Sequence, residues 1–446
     1  MQQKSRCNLI WRTSQPISYS YCHLKMEKTW ILISLLVLFF LPHPSSSKAA
    51  IGVGVGVGVG VGVGVGVGVG NGDNGNSPSP SGSPAGNLND AYTALQAWKS
   101  AITDDPLKIL KNWVGPNVCS YRGVFCANPQ DGEDGIATSA LTDSVVVAGI
   151  DLNHANLKGT IVKDLSLLSH ITLLHLNSNR FSGTLPDTLS DLAFLQELDL
   201  SNNQFSGSFP SVTLSMPSLI YLDIRFNNFS GPLPQQLFNK RLDAIFLNNN
   251  QFGGEIPQNL GNSPASVINL ANNRLSGSIP FSFGFMSSEL KEILFLNNQL
   301  TGCIPEGVGI FTQMEVLDVS FNSLMGQLPD TMSCLEEIEV LNLAHNKLSG
   351  ELSDMVCSLK SLVNLTVAYN FFSELGHGCS RLFNMGFDFS DNCIAGRNMQ
   401  RPPPECSIIP GGSLNCLRIP TPKPLVCASL AASLSKRRNS PSSPSH

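Results

Sequence analysis

The chain has 446 residues, a formal net charge of −5 and 14% charged residues. This mildly acidic balance does not predict a basic nucleic-acid-binding surface, so no nucleic-acid partner is expected. The length allows two or three ordinary domains, but a chain built from short repeats needs only one continuous core.

The first 50 residues have the pattern of a secretory signal peptide. Residues 31–41, "ILISLLVLFFL", are continuously apolar, follow Lys28, and precede small residues suited to cleavage near Ala49 or Ala50. Translation from Met26 would give this segment an ordinary length, and an uncleaved anchor is the alternative. Because the apolar run is shorter than the roughly 20 residues of a spanning helix, we expect no transmembrane span in the mature protein.

Residues 51–89 are predicted to be a low-complexity linker. They begin with alternating glycine and valine and continue with serine, proline and glycine. Glycine at every second position disfavours a helix, by about 1 kcal/mol per residue relative to alanine. In an alternative interpretation, the valines on one face of an extended strand pair with other chains or polymers.

From residue 147 to 396 the sequence repeats the pattern L-x-L-x-x-N. The asparagines recur at spacings of 22 to 25 residues, with Ala155 in the same column of a degenerate first copy. A glycine follows most column positions by four residues, and a proline follows many by seven. This period predicts a solenoid. The column asparagines are Asn179, Asn203, Asn227, Asn250, Asn273, Asn298, Asn322, Asn346, Asn370 and Asn392.

Each repeat predicts one coil with a short strand. In "LQELDLSNN" the leucines face the interior, while Glu197 and Asp199 alternate outward to solvent. The fold class is therefore an α/β solenoid of about 10 or 11 repeats, with a parallel concave sheet and an irregular or 3-10 convex side. The column asparagines are expected to bond to backbone groups where each coil turns inward, and the glycines to supply backbone conformations that other residues avoid. At roughly 4.8 Å per strand the concave sheet is on the order of 50 Å long, which suits a protein, peptide or polymer ligand.

The cysteines predict export to an oxidising compartment, because ten of the 12 follow the signal segment and form an even set. Cys119 and Cys126 are expected to form a disulfide in an amino-terminal cap, residues 90–146. Cys334 and Cys357 lie at nearly the same phase of adjacent coils, close to the separation that a disulfide requires.

The carboxyl end is predicted to close the solenoid. Five further cysteines crowd there, and we expect a cysteine-rich cap at 397–427 followed by a polar tail at 428–446. A zinc site at His377 and Cys379 is a weak alternative, because no second metal-binding motif accompanies them. No metal and no cofactor are therefore expected.

Two sequons, at Asn228 and Asn364, predict glycosylation of a secreted protein.

Several stretches resemble a known family. "AYTALQAWKSAITDDPLKILKNW" and "CSYRGVFC", followed by repeats of the form L-x-L-x-x-N-x-L-x-G-x-I-P, resemble plant extracellular leucine-rich repeat proteins. Within that group, "LFLNNQLTGCIP", "LNLAHNKLSGEL" and "NCIAGRNMQRPPPEC" resemble the leucine-rich repeat extensin family, and the resemblance spans about residues 90–427. The family's long serine-proline tail has no counterpart here, so the sequence resembles a short form without the extensin tail.

The resemblance implies a secreted, non-catalytic binding protein of the plant cell wall. Family members hold basic, cysteine-rich signalling peptides, and a contribution to wall signalling or growth control follows from the resemblance. Charge is consistent with a basic ligand: residues 51–400 hold 16 basic and 31 acidic residues, a net charge of −15. Such a field steers basic ligands toward the surface.

The predicted peptide-binding residues occupy outward strand positions of the concave sheet. Carboxylates there attract a basic ligand, and large apolar side chains at solvent positions predict a partner. These residues are His175, Glu197, Asp199, Tyr221, Asp223, Phe246, Glu292, Leu294 and Asp318.

Three alternatives remain open from the sequence. The same solenoid suits an inhibitor of pectin-degrading enzymes, a structural wall protein, or a protein that contacts wall polysaccharide. An enzyme is not expected, because no nucleophile motif, phosphate loop or dinucleotide pattern is present. The sequence does not predict the oligomeric state.

Overall fold

The computed structural model describes residues 86–128, 145–379, 382, 387–410, 416 and 427. The predicted signal segment at 1–50, most of the linker and the tail at 428–446 lie outside these residues. Within the described part of the chain, no helix is long and apolar enough to cross a membrane.

The amino-terminal cap begins with the helix Gly86–Ala101. Residues 86–89, predicted as linker, are therefore part of the cap. Ala91, Leu95 and Trp98 fall on one face of this helix and are buried, which is the spacing of an amphipathic helix. The cap also contains the strand Ile102–Asp104, the 3-10 turns Ile109–Asn112 and Val118–Ser120, and the strand Val124–Ala127.

The concave sheet has 11 strands. Its first strand, Val124–Ala127, pairs antiparallel with Val146–Asp151 and covers the open edge, while the others pair in parallel, one from each coil. The strand alternates between core and concave face, as in Glu197–Asp199, where Leu198 is buried. The coil strands are Val146–Asp151, Leu173–His175, Glu197–Asp199, Tyr221–Asp223, Ala244–Phe246, Val267–Asn269, Glu292–Leu294, Val316–Asp318, Val340–Asn342 and Asn364–Thr366.

A second 11-stranded sheet, which the sequence pattern did not predict, runs along the adjacent side of the coils. Each coil strand begins near the column position, all but Phe371–Leu375 include the column glycine, and the cap strand Ile102–Asp104 covers the first edge by antiparallel pairing. The coil strands are Lys158–Gly159, Arg180–Gly183, Gln204–Gly207, Asn228–Gly231, Gln251–Glu255, Arg274–Ser278, Gln299–Gly302, Ser323–Gly326, Lys347–Leu352 and Phe371–Leu375.

The convex side consists of short helical turns, as predicted. Most are 3-10 turns, and most of these directly follow the column proline. Proline is tolerated at the start of a helical turn because its fixed φ is compatible with the turn and no N–H is needed there. The 3-10 turns are Lys163–Leu167, Asp187–Asp191, Leu260–Asn262, Phe281–Phe285, Glu306–Ile310 and Asp330–Cys334. The short α-helices are Val212–Ser215, Gln236–Asn239 and Asp354–Cys357, and Pro403–Cys406 lies in the carboxyl-terminal cap.

The column asparagines form the predicted ladder. Asn203 accepts the backbone N–H of Phe181 at 2.9 Å, and its Nδ2 donates to the carbonyl oxygens of Leu176 at 2.8 Å and Leu200 at 3.1 Å. One side chain thus satisfies backbone groups in its own coil and in the preceding coil. The other nine asparagines make the equivalent bonds.

Two positions in each coil adopt left-handed backbone conformations. Nine of the column glycines have φ between 74° and 98°, which confirms the predicted role of this column. The residue immediately before each column position, which we call the rim position, has φ between 50° and 58°. The rim position lies in the turn between the two sheets. Its occupants are His154, Ser178, Asn202, Phe226, Asn249, Asn272, Asn297, Phe321, His345, Tyr369 and Asp391.

The core of the early coils contains a stack of phenylalanines. Phe181, Phe205, Phe229 and Phe252 lie two residues after successive column asparagines, with ring centroids 6.3 to 6.4 Å apart and rings within 9° of parallel. Trp98 of the cap lies 5.8 Å from Phe181. We call these four phenylalanines the phenylalanine stack.

Five disulfides join described cysteines. Cys119–Cys126 is confirmed. The predicted pairing of Cys334 with Cys357 is wrong: Cys334 bonds to Cys427, and Cys357 bonds to Cys379. Matching phase in adjacent coils did not decide the pairing, because Cys416 and Cys427 of the carboxyl-terminal cap bond to cysteines of earlier coils. The other disulfides are Cys303–Cys416 and Cys393–Cys406.

Candidate functional site

Five of the predicted ligand-binding residues lie together on three adjacent strands of the concave sheet. His175 is in register with Asp199, and Asp199 with Asp223, while Glu197 is in register with Tyr221. Because the parallel strands pair without a register shift, equivalent residues of successive coils form a row, in which neighbouring residues are about 4.8 Å apart. We call His175, Glu197, Asp199, Tyr221 and Asp223 the acidic cluster.

The accessible part of the acidic cluster is held by local hydrogen bonds. His175 Nε2 lies 3.1 Å from Glu197 Oε2, with the two side chains 22% and 32% exposed. Asp199 Oδ1 accepts hydrogen bonds from the backbone N–H of Ser201 at 2.9 Å and from its hydroxyl at 2.6 Å. Each carboxylate keeps a second oxygen to receive a cationic group from a ligand.

Asp223 does not face solvent as predicted: it is buried, with an exposure of 0%. Its Oδ2 lies 3.0 Å from Arg225 Nε and 3.4 Å from the Tyr221 hydroxyl, which donates to it. Burial raises the pKa of Asp223 to about 7, although the Arg225 guanidinium opposes this change. Burial also raises the pKa of Tyr221. Asp223 thus contributes a charge that depends on pH near neutrality.

Arg225 is a site residue that the outward-position pattern did not select, because it follows the strand. Its guanidinium carbon lies 5.1 Å from the centroid of the Phe246 ring, a cation–π geometry. Phe246 was predicted to be exposed, but it is only 7% exposed and packs with Tyr221, Ala244 and Val267. Phe246 therefore packs against both Arg225 and Tyr221.

The other three predicted residues lie further along the sheet. Glu292 and Leu294 are half-buried on one strand, and burial, followed by the charge of Glu315, raises the pKa of Glu292. Asp318 is buried, contrary to the prediction, and accepts hydrogen bonds from Ser320 and Asn342. The strand of Glu292 is four strands from that of Glu197, or roughly 19 Å. These residues are thus separate from the acidic cluster.

The two sequons occupy different surfaces. Asn228 is exposed at the start of a strand of the second sheet, and Asn364 is half-buried on the last full strand of the concave sheet. A glycan at Asn364 would project from the concave side, whereas one at Asn228 would project from the second sheet.

A zinc site at His377 is not supported. Cys379 is in a disulfide with Cys357, so it offers no thiolate to a metal. Within the described ranges, no group of three or more metal-ligating side chains comes together.

Comparison with known proteins agrees with this architecture. Residues 88–127 match the leucine rich repeat N-terminal domain, and residues 169–229, 266–286 and 337–359 match leucine rich repeat models. The chain is a leucine-rich repeat solenoid.

The solenoid is homologous to leucine-rich repeat extensin-like proteins of Arabidopsis thaliana. It is 53% identical to leucine-rich repeat extensin-like protein 6 over 234 residues, which are 52% of this chain and 48% of the relative. It is 62% identical to protein 7 over 237 residues, or 53% of this chain and 52% of the relative. The solenoid thus spans about half the length of these relatives.

Solved structures include similar solenoids in plant receptors. The solenoid superposes with a TM-score of 0.54, at 30% identity, on the Arabidopsis receptor kinase HAESA in complex with the peptide hormone IDA and the co-receptor SERK1. The match covers 64% of this chain and 46% of the receptor chain. Five disulfides, this receptor-like fold and the extensin-like homologues together indicate an extracellular protein.

Proposed function

We propose that this solenoid is a secreted, non-catalytic protein of the plant cell wall that binds a basic, cysteine-rich signalling peptide on the acidic cluster. The observation that carries the proposal is the convergence of His175, Glu197, Asp199 and Tyr221 on adjacent strands, beside the ion pair of the buried Asp223 with Arg225. The row continues to the exposed Asp151, which is in register with His175.

The arrangement suits a cationic ligand for two reasons. Glu197 and Asp199 retain solvent access, so their charge reaches an approaching peptide, and the net charge of −15 over residues 51–400 adds long-range attraction. Tyr221 adds ring surface over the buried Phe246, and aromatic side chains in such positions frequently dominate binding energy. The homologous extensin-like proteins and the peptide-bound receptor structure support an extracellular ligand-binding role.

Calorimetric titration tests the proposal. The disulfide-bonded chain is titrated with a folded basic cysteine-rich peptide at low and moderate ionic strength, and the variant Glu197→Gln/Asp199→Asn is compared with wild type. We expect binding that weakens with salt and falls by roughly tenfold or more in the variant, since charge-assisted contacts are worth about 1.5–3 kcal/mol each.

The matched control is Asp187→Asn/Asp191→Asn. Both residues are exposed on the convex turn of the same coil, so the variant loses the same charge from the opposite side. If both variants lost affinity equally, the loss would be explained by net charge and not by contacts at the acidic cluster. Absence of binding to wild type would contradict the proposal and favour an enzyme-inhibitor or structural role.

A further inference from the structure

Three aromatic rings form a stack at successive rim positions of the late coils. The ring of His345 lies 4.1 Å from that of Phe321 and 4.1 Å from that of Tyr369, with interplanar angles of 16° and 10°. Phe321 is 48% exposed and Tyr369 is 42% exposed. We call these three residues the rim stack.

The rim stack places bulky side chains where the backbone disfavours them. Left-handed φ costs roughly 1–2 kcal/mol per residue for side chains other than glycine, and asparagine tolerates it best. The preceding coils follow this rule with Asn249, Asn272 and Asn297, whose side-chain amides are joined by hydrogen bonds of 3.2 and 2.9 Å. Strained and exposed residues of this kind are concentrated at functional sites.

The geometry of the rim stack restricts what it can bind. Because neighbouring rings face one another, their edges are what the stack offers along its length. Ring edges carry positive potential, so they favour the face of another aromatic ring or an aliphatic group over a cation. Burial lowers the pKa of His345, which favours the neutral ring, although the nearby carboxylates of Asp388 and Asp391 oppose this change. The matching ligand segment therefore lacks cationic groups and is rich in aromatic or aliphatic side chains.

The rim stack lies at a fixed distance from the acidic cluster. The strand Val316–Asp318, which precedes Phe321, is five strands from Glu197–Asp199 in the concave sheet, or roughly 24 Å. The half-buried Leu294 and Leu296 lie on the coil between them that adjoins the rim stack. Leucine and aromatic side chains thus lie at this end of the surface, together with the carboxylates of Glu292 and Asp391.

We propose that the rim stack is a second docking site for the same peptide, and that it binds an apolar segment whose distance from the basic segment is roughly 24 Å. This inference rests on the proposed function of the acidic cluster. It assigns the ligand a polarity: its basic part lies toward the amino-terminal coils and its apolar part toward the carboxyl-terminal coils.

Synthetic two-part peptides test this inference. Each carries a block of arginines joined by a glycine-serine linker to a Trp-Leu-Phe block, and the linker has about 2 or about 20 residues. A flexible linker of about 20 residues has a mean span near 25 Å, whereas about 2 residues cannot reach. We expect the long-linker peptide to bind at least about tenfold more tightly than the arginine block alone, and the short-linker peptide to show no such gain.

The variant Phe321→Asn/His345→Asn/Tyr369→Asn isolates the rim stack, because asparagine occupies this position in four other coils, Asn202, Asn249, Asn272 and Asn297. It should abolish the long-linker gain while leaving binding of the arginine block unchanged. Phe285→Asn, at a 53% exposed position on the convex side, is the control and should retain the gain in affinity.

A gain in affinity that is absent in wild type, or that persists in the triple variant, would overturn the second docking site. Failure of the arginine block to bind wild type would instead overturn the proposed function, and the inference with it.

Discussion

The early and late coils share one repeat but differ in what surrounds it. From Phe181 to Phe252 the core column is aromatic and stacks on Trp98 of the cap, whereas Leu275, Leu300, Leu324 and Leu348 fill the same column later, before a single Phe372. Four of the five disulfides involve cysteines from Cys303 onward. The early coils thus share a continuous stack of four rings, while disulfides add to the packing of the late coils.

The asparagine ladder is common to both regions. It makes the same bonds at Asn203 and at Asn346, so the backbone is satisfied alike in early and late coils. In a repeat protein stability is approximately the sum of coil and neighbour terms. Substitutions that affect only one region can therefore separate the contribution of the phenylalanine stack from that of the disulfides.

Loss of a ring from the phenylalanine stack should have the largest effect. Phe205→Ala removes a fully buried ring that contacts rings on both sides, and we expect the free energy of unfolding to fall by about 3–5 kcal/mol. Urea denaturation measures this change. Phe194→Ala, at a 53% exposed position where the ring stacks on His170, is the control and should lower it by no more than about 1.5 kcal/mol. A similar loss in both variants would contradict the importance of the stack.

Removal of the disulfide with the largest sequence separation should destabilise the late coils selectively. Cys303→Ala/Cys416→Ala opens a covalent loop that separates the two cysteines by 113 residues in sequence. We expect a loss of about 2–5 kcal/mol, located in the late coils. Hydrogen exchange should show faster exchange after residue 303 and unchanged exchange around the phenylalanine stack. Uniform acceleration along the chain would indicate that the solenoid unfolds as one unit.

Asp223 should make the stability of the early coils depend on pH. Its pKa is about 7 in the folded chain against an ordinary value of 3.8, so the folded state holds a proton that the unfolded state has lost. The free energy of unfolding should therefore fall as pH rises from about 4 to 7, by up to about 1.4 kcal/mol per pH unit, and then level off. Asp223→Asn should flatten this slope in urea titrations at several pH values. An unchanged slope would mean that Arg225 keeps Asp223 ionised.

Replacement of a rim aromatic should have the smallest effect on stability. Tyr369→Asn removes one ring contact, worth about 0.5–1.5 kcal/mol, and relieves a left-handed backbone that costs a similar amount. The thermal midpoint should therefore change little. A large destabilisation would show that the rim stack is chiefly a structural element and would weaken its assignment as a docking site.

The repeat pattern predicts features that are local to one coil. The column asparagines, the left-handed glycines and the concave strands all follow from the letters of a single repeat, and each is present in the structure. The second sheet was missed because its strands carry serine and glycine, residues that do not signal a strand.

Features that depend on neighbouring coils were not predictable in this way. Outward alternation placed Asp223 and Phe246 in solvent, yet Arg225 and Val267 from other positions cover or contact them. Cys334 pairs with Cys427, 93 residues away, a pairing that sequence spacing does not define. The rim stack had a signal, since aromatic residues precede the asparagine in adjacent repeats, but its meaning required the left-handed backbone.

The disulfide between Cys334 and Cys427 has a consequence for mechanical tension. A pulling force applied beyond residue 427 reaches Cys334 through this bond and Cys303 through Cys416, so the backbone between Cys334 and Cys416 lies outside both covalent paths. The rim residues His345 and Tyr369 lie within this shielded segment. Traction on the carboxyl-terminal end would therefore reach the early coils before it distorted the last ones.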